Sequence, residues 1–118
     1  MDIETLREYC LSKKIATESF PFGDEALVFK VMGHMFALIN LAGDLSMTLK
    51  CDPEKAIALR EEYSSVIPGY HMNKKYWNTV LLDGTIPEKQ IREWIDESYR
   101  LVVEGLTNKL RKELEEYN

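Results

Sequence analysis

Leu45, Met47 and Leu49 alternate with Ser46, Thr48 and Lys50, the period-two signature of a strand with one buried and one wetted face. Ahead of it, Leu27-Val28-Phe29-Lys30-Val31 and Met35-Phe36-Ala37-Leu38-Ile39 flank Gly33-His34. Two apolar runs about a tight turn predict a hairpin. Trp77-Asn78-Thr79-Val80-Leu81-Leu82 reads as a last strand closed by Asp83-Gly84. A further short strand is expected before the break at Phe20-Pro21-Phe22-Gly23. Residues 66–76 read as loop.

Helical spacing governs the remainder. Ile3, Leu6 and Cys10 follow Asp2, a helix N-cap, and predict a helix over residues 2–13. Asp52-Pro53-Glu54 joins an Asx cap, a proline at the first helical position and an early acid, which together start a second helix running to about Tyr63. Thr85-Ile86-Pro87-Glu88 fits a capping box, after which Ile91, Trp94, Ile95, Ser98, Leu101 and Val102 trace one face of a long helix that Gly105 bends or ends. Residues 106–118 keep only Leu106, Leu110 and Leu114 as apolar anchors and read as either a further amphipathic helix or a frayed tail.

This order lacks regular βαβ alternation and contains hairpins. It predicts an α+β fold, with an antiparallel sheet of about five strands packed on one face by helices. The other sheet face is then expected to meet water or a ligand. A length of 118 residues suits one domain over residues 1–118.

Composition narrows the function. The chain is 45% hydrophobic and 30% charged, as soluble globular proteins are. No apolar run approaches the ~18 residues of a membrane span, and the first residues lack the positive head and apolar core of a signal peptide, so a cytoplasmic location without membrane contact is expected. Cys10 and Cys51 have no CxxC or Cys/His neighbours and read as reduced thiols, with no metal site and no cofactor expected. Only two histidines are present, and GxSxG, GxGxxG and Walker patterns are absent, which favours a non-enzymatic module. Glu61-Glu62, Glu93, Asp96-Glu97 and the acids of residues 113–116 read as solvated helix faces.

The net charge of −5 excludes a surface that attracts nucleic acid all over. A local patch remains, because no acid lies between Glu62 and Asp83 and this gap holds PGYHMNKKYWNTV at residues 68–80. His71, Asn73, Lys74, Lys75 and Asn78 are candidate DNA contacts, with Tyr70 and Trp77 as stacking, pocket-lining or structural rings. Lys30 and Lys50 on predicted strands either extend the positive surface across the open face or guard sheet edges. Three or four phosphate contacts would weaken about a hundredfold between ~50 and ~200 mM salt.

Ser19-Phe20-Pro21-Phe22-Gly23, Leu49-Lys50-Cys51-Asp52-Pro53-Glu54, Pro68 to Lys75 with Trp77-Asn78-Thr79-Val80, and Ser98-Tyr99 with Leu101-Val102 resemble the MmcQ/YjbR family over nearly the whole chain. The resemblance implies a CyaY-like (frataxin-like) architecture, also likened to the double-wing DNA-binding domain of a phage transcription factor. It implies no catalytic residues. His71, Asn73, Lys74, Lys75, Trp77 and Asn78 match the family pattern, whereas His34 stands where relatives often have lysine. A frataxin-like fold also suggests iron, for which Asp2, Glu4 and Glu8 are a sparse acidic set. The leading expectation is weak, salt-sensitive binding of duplex DNA by the open sheet face and the 68–78 loop. The alternative is a small-molecule or protein-partner domain in which the 68–80 block is mainly a structural lock.

Overall fold

A computed structural model describes residues 2–69 and 72–117. The elements in chain order are α1 (Ile3–Leu11), β1 (Thr17–Ser19), β2 (Ala26–Val31), β3 (His34–Asn40), β4 (Ser46–Lys50), α2 (Pro53–Glu62), β5 (Val66–Pro68), β6 (Trp77–Leu81), α3 (Glu88–Glu104) and α4 (Asn108–Glu116). The strands form one sheet in the order β1-β2-β3-β4-β6-β5, antiparallel throughout. The fold is thus α+β, with six strands where about five were expected.

Local chemistry explains most of these elements. Asp2 caps α1 by accepting from the Thr5 N–H at 2.8 Å, and the Arg7 guanidinium grips both oxygens of Glu18, tying α1 to β1. The β2–β3 turn is Met32-Gly33, with φ of 49° and 82°, the pair of positive values a tight two-residue hairpin requires. His34 is therefore the first residue of β3, exposed and paired with Val31, and not part of the turn. β5 lies inside the segment expected to be loop. Its three residues, one of them proline, carry too little pattern to announce a strand.

Two helix starts differ from expectation. Asp52 precedes Pro53 at the start of α2, but its side chain makes no cap bond. Thr85 does not build a capping box either: α3 starts after Pro87, because Thr85 Oγ1 donates to Asp83 Oδ1 at 2.6 Å and meets Ser65 Oγ at 2.7 Å instead. Gly105 ends α3, and α4 is a separate helix capped by the Thr107 hydroxyl.

The register sorts strand side chains onto two faces. Leu27, Phe29, Ala37, Ile39, Met47, Leu49, Val80 and Val66 share the first. They form one contiguous core with Leu6 and Cys10 of α1, Ile91, Trp94, Ile95 and Val102 of α3, and Leu106 and Leu114 at the chain's end. The second face carries Val28, Lys30, Leu38, Thr48, Lys50, Trp77, Thr79 and Ile67, none of which joins that core.

Two features of the sheet depart from the plain alternation read in the sequence. Ser46 and Thr48 are buried, although β4 was expected to wet them, as are Val28 and Thr79. These short side chains lie low among larger neighbours such as Leu38 and Trp77, and Thr48 and Thr79 bond hydroxyl to hydroxyl at 2.9 Å. The centre of the second face is therefore dry, and its wetted part is the margin. In addition, Phe29 pairs with Ala37 but Lys30 with Met35, which makes Phe36 the extra residue of a bulge. Ser98 of α3, fully buried, closes the gap: its hydroxyl donates to the Phe36 carbonyl at 2.6 Å and accepts the Lys50 N–H at 2.8 Å.

Candidate functional site

The hairpin geometry sends β2 and β4 to the same end of the sheet, where β6 begins. Lys30 lies beside Met35, and Lys50 beside Trp77, all on the second face. The 72–76 segment leads into Trp77 at that end. Asn73 Oδ1 accepts the Lys75 N–H at 2.9 Å and the Asn73 carbonyl accepts the Tyr76 N–H at 3.1 Å, a turn built by an asparagine bonding its own backbone. It leaves Lys74 and Lys75 exposed. The Lys75 ammonium stands 5.6 Å from the Tyr76 ring centroid, and Lys74 Nζ reaches the Gly69 carbonyl at 3.4 Å.

The charges around these lysines are distributed unevenly. Among the described residues, Glu18 is the sole carboxylate on a strand, and it faces the helices, paired with Arg7. Asp24, Glu25, Asp44 and Asp83 fall in connections at the opposite end of the sheet. Among the described residues, no ion pair engages Lys30, Lys50, Lys74 or Lys75. Acids do come near the lysine end: Glu97 of α3 lines a cleft with Lys50 and Lys55, and Asp52 lines, with Lys50, Cys51, Pro53, Tyr76 and Leu101, a hollow of about 230 Å³.

The expected site residues therefore divide. Lys30, Lys50, Lys74 and Lys75 share one end of the sheet, with Trp77 half-buried among them and outside the core. Asn73 shapes the turn. Asn78 is corrected: it is 3% exposed on the first face, its Nδ2 donating to the Ala56 carbonyl of α2 at 3.1 Å, and it cannot reach a ligand on the second face. Its place inside a strand left its facing undecided by polarity alone. Tyr70 and His71 lie outside the described residues.

Sequence reasoning missed two structural roles. Ser98 looked like one more position on a helix face, and Gly69 like a loop residue. A Cβ on Gly69 would stand 2.8 Å from both the Trp77 Cβ and the Trp77 carbonyl oxygen, and the Gly69 N–H donates to that same carbonyl at 2.9 Å. Only glycine fits so close an approach.

The thiols are poor nucleophiles. Burial pushes Cys10 up to about 12 and Cys51 upward as well, and both are unpaired. Among the described residues, no three His, Cys, Asp or Glu side chains are grouped to hold a metal ion, and no helix is long and apolar enough to cross a membrane.

A two-layer α+β domain with a lysine-edged second face is the class this geometry defines. The YjbR family model matches residues 11–101, and the chain belongs to that family. It is 40% identical to the uncharacterised protein YbdF of Escherichia coli O157:H7 and 37% identical to the uncharacterised protein YjbR of Escherichia coli K12. Each match covers 95% of this chain and 96% of the relative. Among solved structures, Deinococcus radiodurans protein DR2400 is similar at 44% identity and a TM-score of 0.88, over 95% of this chain and 86% of that one. A Pseudomonas syringae protein is similar at 28% identity and a TM-score of 0.75, over 86% and 98% of the respective chains.

Proposed function

We propose that this YjbR-family domain is a non-enzymatic module that docks on the backbone of duplex DNA through the lysine end of its second face. The observation that carries this reading is the sorting of charge: four lysines that make no ion pair among the described residues lie at one end of the sheet, and the strands present no acid on the second face there. Phosphates attract such a cluster whatever the base sequence, so contacts of this kind position a protein without specifying bases. Trp77 beside Lys50 adds a flat apolar surface against a sugar. The dry centre of the face confines docking to its margin and the adjoining turn. Two unpaired thiols suit a reducing, cytoplasmic setting.

The test is fluorescence anisotropy with a mixed-sequence duplex at low salt. Four phosphate contacts give a slope of log affinity against log salt near −3.6, about −0.9 for each contact. Reversing Lys30 and Lys50 to glutamate should roughly halve that slope, and so should reversing Lys74 and Lys75. Equal affinity for the parent and both double variants, or no binding at low salt, would overturn the reading.

A further inference from the structure

Where β4 runs into α2, the hollow of about 230 Å³ is walled by Lys50, Cys51, Asp52, Pro53, Tyr76 and Leu101. Bonds to the backbone hold its frame: the Lys50 N–H donates to Ser98 Oγ at 2.8 Å, and the Cys51 N–H to the Tyr76 carbonyl at 2.7 Å. Leu101 is half-buried and Tyr76 is 38% exposed, and neither belongs to the contiguous core. With Pro53 they give the hollow an apolar wall. Its two charges are opposite and uncommitted. Among the described residues, Lys50 and Asp52 pair neither with each other nor with any other charged group, and the Asp52 carboxylate makes no cap bond to α2. Glu97, the acid of the adjoining cleft, is already paired with Arg100.

We propose that this hollow binds a free α-amino acid with an apolar side chain, its ammonium on Asp52, its carboxylate on Lys50 and its side chain against Tyr76, Pro53 and Leu101. Charge selects the class. A monoanion drawn to Lys50 is repelled by Asp52, a monocation drawn to Asp52 is repelled by Lys50, and a zwitterion matches both. A DNA phosphate meets the same obstacle as any other anion, so the hollow does not extend the phosphate track. Size agrees, because about 230 Å³ lies just below the ~300 Å³ at which sites for drug-sized ligands begin. The apolar wall lets the side chain leave water. Lys50 is shared with the DNA-docking reading, but the proposal does not rest on it, since Asp52 has no part in docking.

The experiment is ¹H–¹⁵N NMR of the full chain titrated with L-leucine and, separately, with two analogues that each lack one charge: 4-methylpentanoate, without the ammonium, and 3-methylbutylamine, without the carboxylate. Saturable leucine shifts centred on the Cys51, Asp52, Tyr76 and Leu101 amides are expected, with leucine bound about tenfold tighter than either analogue. Asp52→Asn should bring leucine and 4-methylpentanoate together, and Lys50→Met should bring leucine and 3-methylbutylamine together. Leu101→Ala, which keeps both charges, should weaken all three ligands about equally. Absence of saturable leucine shifts, shifts only elsewhere, equal binding of leucine and its analogues to the parent, or a preference that survives both charge substitutions would overturn the proposal. DNA anisotropy on Asp52→Asn separates the two readings: loss of the leucine preference with DNA affinity no weaker than the parent's is expected, and a fall in both together would overturn the assignment of Asp52 to a separate ligand.

Discussion

The two faces of the sheet are built from the same strands, yet they serve different ends. On the first face, burial is collective: Phe29, Phe36, Ile39 and Met47 are fully buried against three helices, and the Phe36 ring meets Tyr99 edge-on at 5.2 Å. On the second, Thr48 and Thr79 are buried among their neighbours and bond hydroxyl to hydroxyl. The difference teaches that low exposure alone does not define the core. Membership in the contiguous cluster does, and it leaves the second face free to carry lysines at its margin.

Substitutions should separate the faces by size of effect. Phe36→Ala removes a fully buried ring and is expected to cost about 3–5 kcal/mol in chemical denaturation, whereas Ile67→Ala on the second face, already 38% exposed, should cost under about 1 kcal/mol. Equal losses would erase the distinction. Ser98→Ala strands both the Lys50 N–H and the Phe36 carbonyl, so a loss of about 2–4 kcal/mol is expected from urea melts, and hydrogen exchange at the Lys50 amide should quicken. The Thr48 and Thr79 hydroxyls, tested in a double-mutant cycle with valine, should couple by about 0.2–1 kcal/mol. A coupling of zero would leave the second face held by packing alone.

The smallest effect belongs to the turn that joins the sheet to α3. Bonds from Ser65 and Thr85 hold the Asp83 carboxyl down at about 2, against an ordinary 3.8. Because its folded value is depressed, its contribution is complete above the ordinary carboxylate range and is lost as pH falls through about 2. Asp83→Asn should flatten that acid limb in pH-dependent melts, and NMR titration of Asp83 should show its inflection near 2.

Periodicity made the layered plan readable. The hairpin, β4, β6 and the long amphipathic α3 all follow from apolar spacing, since each must bury one side to exist. What spacing could not supply was any choice between competing polar partners. Thr85 had the pattern of a helix cap, but Asp83, adjacent in the turn, and Ser65, distant in sequence, took its hydroxyl. Asp52 had the identity of a cap and stands beside Lys50 and Cys51 at the hollow. Ser46 and Thr48 read as wetted because polarity was taken for exposure, whereas their short side chains lie low among larger neighbours. Of the candidate site, the lysines were legible as the acid-free gap and two strand cations. Asn78 was not, since its facing follows from register with Leu49, a pairing no single strand announces.

The pinch between Gly69 and Trp77 has an engineering consequence. The backbone bond there clasps the two feet of the intervening chain. Doubling that stretch should add only about 0.6 kcal/mol of closure entropy, which makes it a natural insertion point for an epitope tag or a reporter peptide. The same clasp forbids grafting that begins one residue earlier, where even a methyl group has no room.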